Sequence, residues 1–163
     1  MADERQVTPA SEWRKLHEEG QSGYKITLTS GFTVRLRPVS IEQMLKRGEI
    51  PDLLAPMAAQ AVIAGIDGKD LSNTLQRASN TFLLIDFICE LAFLEPRIVE
   101  NPTADDEIGV SYLDSQDKFE VFEIVTQPGW VIRKFRDQQV ADVAALHDGE
   151  GVQETAVGDV TGG

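Results

Sequence analysis

Two carboxylates on one predicted helix come closest to an acid–base pair in this sequence. Asp86 and Glu90 are four residues apart, so an α-helix places both side chains on the same face. Catalysis by two carboxylates requires them to sit in different environments inside a cleft. No other reactive residue is tied to this pair by its spacing, and Arg77 or Arg97 is available to neutralise it. We therefore interpret the pair as a polar stripe on a structural helix.

The other acidic residues do not have the spacing of a metal site. The segment 65–70 contains Asp67 and Asp70, whereas a calcium loop takes more oxygen donors at alternating positions and a distal glutamate. This segment also lacks the GxxxxGK[ST] pattern of a phosphate-binding loop. The acidic run 105–107 is typical of a solvated loop. We predict no metal-binding and no cofactor-binding residues.

Nucleophilic catalysis has no starting point in the sequence. His17 and His147 lie near opposite ends of the chain, and neither has a partner fixed by spacing. Cys89, the single cysteine, lies among apolar residues, where cysteine usually behaves as a small hydrophobic side chain. A lone cysteine excludes an intramolecular disulfide and agrees with a reducing compartment. We predict no catalytic residues and a protein that is not an enzyme.

The charge balance argues against nucleic-acid and membrane partners. The 163 residues include 27 acidic and 15 basic side chains, for a formal net charge of −12. Free-standing nucleic-acid binders and proteins held on anionic lipid need basic surfaces. The most apolar window, residues 82–94, is shorter than the roughly 20 residues of a membrane-spanning helix. We expect no nucleic-acid partner and no membrane association.

A β-hairpin is the clearest local signal. Apolar and polar residues alternate over 24–29 and again over 32–37, and Ser30-Gly31 separates the two runs. One face then carries six apolar side chains: Tyr24, Ile26, Leu28, Phe32, Val34 and Leu36. Pro38 ends the second strand. Because a lone hairpin is marginal in water, its apolar face must pack on helices.

Helices are predicted over most of residues 40–146. Ser40 to Gln43 has the form of a capping box, and Gly48 ends that helix. A second helix covers 52–64, and a long third helix runs from about Asp70 to Leu94. We expect this third helix to be central, with three side chains largely buried: Phe82, Ile85 and Phe87.

Two further helices follow an acidic loop at 99–117. The first starts at Asp114 or Ser115 and ends before Pro128, with three inward-facing residues, Phe119, Phe122 and Val125. The last covers Trp130 to Leu146, and we expect its anchors to be Trp130, either Ile132 or Lys134, Phe135, Val140, Val143 and Leu146.

These elements predict an α+β, mainly α fold. An N-terminal hairpin (24–37) packs on a bundle of four to five helices (40–146), and residues 23–146 form one globular domain. Residues 1–22 are weakly ordered, with a short helical turn at Trp13 and Leu16 that docks on the body. Residues 147–163 form a disordered acidic tail, because they contain four acids after His147, no base and too few apolar residues to offset ordering entropy.

The order of several short segments resembles a known family. The segments are residues 13–16 (WRKL), 31–38 (GFTVRLRP), 48–54 (GEIPDLL), 94–99 (LEPRIV), 105–108 (DDEI) and 117–123 (DKFEVFE). Together they are similar to the tail assembly chaperones of long-tailed, siphovirus-type bacteriophages, especially those of actinobacterial hosts. The likeness covers roughly residues 11–140.

The resemblance implies a phage protein that acts in the host bacterial cytoplasm and is absent from the mature virion. Such chaperones bind the tape measure protein, keep it soluble and help recruit tail tube subunits. The family often makes a longer, frameshifted form of the same protein, which is a further expected partner. The family supplies no catalytic residues.

A chaperone for a helical client needs an adaptable apolar groove. Methionine re-packs readily, so we place the partner-binding surface at residues 44–57, with these candidates: Met44, Leu45, Leu53, Leu54 and Met57. These residues can equally be ordinary core. Two other functions remain open, a virion component such as a head–tail connector or tail-completion protein, and an acidic DNA mimic. The basic outer face of the hairpin argues against mimicry.

Overall fold

A computed structural model describes residues 7–64 and 75–148 of the chain. The fold is α+β and mostly helical, as predicted. The helices are α1 (Ala10–Ser22), α2 (Ile41–Arg47), α3 (Ala55–Ala64), α4 (Leu75–Ala92), α5 (Ser115–Val125) and α6 (Gly129–Asp148). The strands are β1 (Tyr24–Thr27), β2 (Thr33–Leu36), β3 (Phe93–Glu95), β4 (Arg97–Ile98) and β5 (Glu107–Ile108).

The predicted hairpin is confirmed as β1 and β2, which pair antiparallel with Tyr24 opposite Leu36 and Thr27 opposite Thr33. The apolar face of the two strands is buried. Phe32 was expected on that face but is 70% exposed, because it lies in the turn before β2 begins. The turn itself contains Gly31 at a φ of 90°.

A third strand extends the hairpin into a sheet with the order β1-β2-β3. The prediction that the long helix continues to Leu94 is therefore wrong at its end, since α4 stops at Ala92 and β3 pairs with β2. The Arg37 amide donates to the Ala92 carbonyl at 2.9 Å, and the Arg35 and Glu95 side chains form an ion pair across the strands. The residues 70–74, where we placed the start of this helix, lie outside the described part of the chain.

Helix α4 lies at the centre of the core. Five of its residues repeat at helical spacing with no more than 1% exposure: Leu84, Ile85, Ile88, Cys89 and Ala92. Ile85 is buried as expected, but Phe82 is 44% exposed and Phe87 is only partly buried. Leu83 lies on the face opposite Ile85, and Phe82 lies at the edge of the buried face, where it is only partly covered, so the prediction is wrong for Phe82.

Helix α5 is held as the sequence predicted. The Asp114 carboxylate caps its N-terminus by accepting from the Asp117 amide at 2.8 Å. Val121, Phe122 and Val125 are buried, and Phe119 is partly buried against the core.

Helix α6 packs along β1 with only its first half. Ile132 is 2% exposed, and the Gln139 side-chain amide donates to the Thr27 carbonyl at 3.3 Å. Residues 140–146 are all exposed. Of the expected apolar anchors, only Ile132 is buried. Val140, Val143 and Leu146 are exposed because the helix runs past the sheet that it covers, and Trp130 and Phe135 are exposed within its first half.

The N-terminal segment is more regular than expected, since residues 10–22 form a helix of more than three turns. Its C-terminal end contacts the body through an ion pair between Glu19 and Arg133 at 3.6 Å. Trp13, predicted to dock on the body, is 65% exposed. Residues 149–163, the predicted tail beyond the end of α6, lie outside the described residues. None of the described helices is both long and apolar enough to cross a membrane.

Candidate partner-binding groove

The five residues proposed to bind a partner do not form one accessible surface. Met44 and Leu54 are 8% and 6% exposed and belong to the core. Leu45 and Met57 are partly buried and pack against it. Leu53 alone of the five is well exposed, at 63%. The apolar spacing that suggested a groove marks the contact between α2 and α3, so four of these residues are structural.

An open groove lies instead between α3, α5, α6 and the segment that leads into α2. Its volume is about 950 Å³. Most of the lining side chains are apolar, and three are aromatic; the apolar ones include Val39, Ala61, Val62, Phe119, Phe122, Ile124, Ile132 and Phe135. Val62 and Phe135, on α3 and α6, are 46% and 37% exposed at its margin.

The floor of the groove is fixed by backbone contacts between distant parts of the chain. The Val39 amide donates to the Val125 carbonyl at 2.8 Å, which joins the end of β2 to the end of α5. Pro38 packs beside Gly129, where a side-chain β-carbon would lie 3.7 Å from the proline ring. Ser40 caps α2 by accepting from the Gln43 amide at 3.3 Å. The turn at residues 126–129 therefore places α6 against the same segment that starts α2.

The charged residues of the groove are all acidic. Glu42 and Glu123 line it, and within residues 7–64 and 75–148 no lysine or arginine does so. Glu42 forms an ion pair with Lys46 one turn along α2, and this pair holds the pKa of the Glu42 carboxyl below its usual value. Glu123 is exposed and has no ion-pair partner within the described residues.

Further apolar surface continues from the groove onto α4. Phe119 meets Phe82 edge to face, with ring centroids 5.9 Å apart. Leu83 beside it is 46% exposed, and Ile63 at the end of α3 is 85% exposed. An uncovered apolar surface of this kind is a common mark of a protein-binding site.

The sequence did not predict this groove, although it predicted some of the elements that line it. The predicted inward face of α5 included Phe119 and Phe122, and the break at Pro128-Gly129 was recognised. Which side of α5 meets α6 depends on pairings between distant segments, and the local sequence carries no signal for them.

The Asp86 and Glu90 carboxylates on α4 have a structural role rather than the environment of an acid–base pair. Asp86 and Glu90 lie on one face of α4, and Asp86 forms an ion pair with Lys118 at 2.8 Å. Arg97, which we expected to neutralise this pair, instead pairs with Asp106 and Glu107. The side chain of Arg77, the other expected partner, lies outside the described residues. Burial, followed by the charge of Asp86, raises the pKa of Glu90.

The other candidate reactive groups are dispersed. Burial raises the pKa of the Cys89 thiol to about 12, so this thiol stays protonated. Glu107 accepts from the Thr103 and Ala104 amides at 3.1 and 3.2 Å, which makes it part of the loop structure. In the ranges 7–64 and 75–148, no group of three or more His, Cys, Asp or Glu side chains is arranged to hold a metal ion.

Replacing Glu90 by glutamine should raise the free energy of unfolding at pH 7 by no more than about 0.5 kcal/mol, and so raise the melting temperature slightly. The folded-state pKa of Glu90 lies above its unfolded value, so ionisation at neutral pH opposes folding. The gain should shrink as the pH falls through the raised pKa and vanish below the ordinary value. Thermal denaturation at several pH values measures it.

Glu95→Gln provides the opposite-sign control. The hydrogen bond from Arg35 lowers the pKa of Glu95, so its carboxylate stabilises the fold at neutral pH and loses that effect as the pH falls through the lowered pKa. Glu95→Gln should therefore lower the melting temperature at pH 7. The same sign for both variants would contradict the assigned environments.

Comparison with known proteins identifies a family. Residues 11–147 match the model of a family of unknown function, DUF7391. The match spans most of the chain, so the protein belongs to this family. No curated protein and no solved structure matches the chain significantly.

Proposed function

We propose that this member of the DUF7391 family is a tail assembly chaperone of a long-tailed bacteriophage. In this proposal it binds the tape measure protein in the cytoplasm of the bacterial host and keeps it soluble. It then helps recruit tail tube subunits and leaves before the virion matures. The short sequence segments between residues 13 and 123, and the order in which they occur, support the phage assignment because they resemble those of such chaperones.

The observation that carries the binding role is the uncovered apolar groove between α3, α5 and α6. A tape measure protein is a long helical client whose apolar stripes are exposed until it assembles. A helix with apolar residues at i, i+3, i+4 and i+7 can lay that face into a groove lined by phenylalanine and aliphatic side chains. The groove is open along its margin at Val62 and Phe135, as binding of a continuous helix requires.

The charge of the chain supports the same role. A chaperone bound to an aggregation-prone client must supply solubility to the complex, and the net charge of −12 does this through repulsion between complexes. The mechanism involves binding and release and no covalent chemistry. Release would follow when the client buries its apolar stripes against tail tube subunits.

Co-expression with the tape measure protein of the same phage tests the proposal. The chain should keep the client soluble and co-purify with it. Val62→Asp should reduce the co-purified client roughly tenfold, because the variant places a charge against the client's apolar face. Val62 is nearly half exposed, so we expect the variant to fold.

Phe32→Asp is the matched control. Phe32 is 70% exposed in the hairpin turn and does not line the groove, so this variant should retain the client. Circular dichroism melting of both variants checks that they fold. Equal loss of client in both would contradict the assignment of binding to the groove.

The virion alternative gives a different result. A head–tail connector or tail-completion protein would be found by mass spectrometry in purified phage particles. A chaperone would be present in the infected cell and missing from those particles.

A further inference from the structure

The groove is lined by both aromatic and acidic side chains. Phe119, Phe122 and Phe135 contribute three rings, and Glu42 and Glu123 contribute two carboxylates. Among the described residues, no basic side chain lines it. The groove therefore selects partners by charge as well as by apolar shape.

We infer that the groove takes a basic amphipathic helix of a different protein, with lysine or arginine flanking its apolar stripe. This inference deepens the proposed function and rests on it for the helical nature of the partner. It names the class of client segment that this site would accept.

The chemistry of the groove supports such an occupant in two ways. Lysine and arginine keep their charged groups at the margin of an apolar contact while their methylene stems pack along it. From there they reach carboxylates such as Glu123, which has no ion-pair partner within the described residues. Cations can also lie over the phenylalanine faces.

The same charges disfavour the other occupants. A second copy of this chain carries a net charge of −12, so two copies repel each other overall even though the outer face of the hairpin is basic. An acidic helix would place carboxylates beside Glu123, whose charge is not balanced by an ion pair within the described residues as that of Glu42 is by Lys46, and like charges in contact are unfavourable. Charge complementarity thus leaves a basic helical segment of another protein as the favoured occupant.

A pair of synthetic peptides tests the inference. Both are 18-residue helices with leucine at i, i+3, i+4 and i+7, and their polar positions are lysine in one and glutamate in the other. Fluorescence anisotropy with the full chain should show at least roughly tenfold tighter binding of the lysine peptide at low salt. High salt should reduce this preference because it screens the charges at the margin.

Two variants locate the effect. Glu123→Lys should weaken the lysine peptide about threefold to fivefold, the size expected for reversing one exposed charge. Asp105→Lys makes the same change of charge in an exposed loop that does not line the groove, and should leave binding nearly unchanged. Equal weakening by both would show that net charge alone acts, and would overturn the inference.

Failure of this inference is distinguishable from failure of the proposed function. If the tape measure protein co-purifies in a Val62-dependent manner but the two peptides bind equally, the inference is wrong and the function stands. If the lysine peptide binds in a Glu123-dependent manner but the tape measure protein is not retained, the groove assignment stands and the function is wrong.

Discussion

Replacing Leu84 by alanine should lower the free energy of unfolding by about 2–5 kcal/mol. Leu84 is fully buried at the centre of α4, among the side chains that pack against the sheet and α5. Truncation removes apolar contacts and leaves a cavity that the surrounding helices and sheet fill only partly. A loss of this size is a large share of the stability of a typical domain. Urea denaturation followed by circular dichroism measures it.

The neighbouring residue supplies the control. Leu83→Ala makes the same chemical change one position earlier, where the side chain is 46% exposed. Its cost should be much smaller, because half of the removed surface is already in water. Equal effects of Leu83→Ala and Leu84→Ala would mean that α4 is rotated about its axis relative to the present assignment.

Replacing Gly23 by alanine should cost about 2–4 kcal/mol of stability. Gly23 joins α1 to β1 with a φ of 81° and a ψ of 165°, a backbone conformation that is essentially confined to glycine. An added β-carbon would lie 2.6 Å from Leu94 Cδ1 and 3.0 Å from the Leu36 carbonyl oxygen. The leucine can move, but the carbonyl oxygen belongs to the sheet.

Gly31→Ala separates the two causes. Gly31 has a similar φ of 90°, but an added β-carbon meets nothing within 4 Å. This variant should lose only about 1–2 kcal/mol, the cost of the backbone conformation itself. If Gly23→Ala were no worse than Gly31→Ala, the close approach of Leu36 and Leu94 would be wrong.

Local chemistry explains what the sequence predicted well. The hairpin follows from alternation around Ser30-Gly31, and both helix caps follow from a polar side chain three residues before the amide that it accepts. The strand β3 was missed because its three residues are too few to show alternation. Only pairing with β2, some 60 residues earlier, makes Phe93–Glu95 a strand rather than a last helical turn.

The candidate site shows the same division. Apolar spacing located the helices around residues 44–57, but it could not tell a buried contact between two helices from an open groove. Met44 is buried in the core, whereas Val62 is nearly half exposed. For α6, the apolar spacing predicted one buried face along the whole helix. The helix contacts β1 as far as Gln139, and the residues 140–146 beyond it are exposed.

The hydrogen bond between Val39 and Val125 has a consequence for the order of events during synthesis. The segment into α2 and helix α3 are made before residue 65, and the remaining walls wait for α5 and α6 to leave the ribosome. Closing a contact across so many residues is slow compared with forming a hairpin or a helix. Unfinished chains therefore lack the complete groove. The groove is complete only in a chain whose last helix is in place.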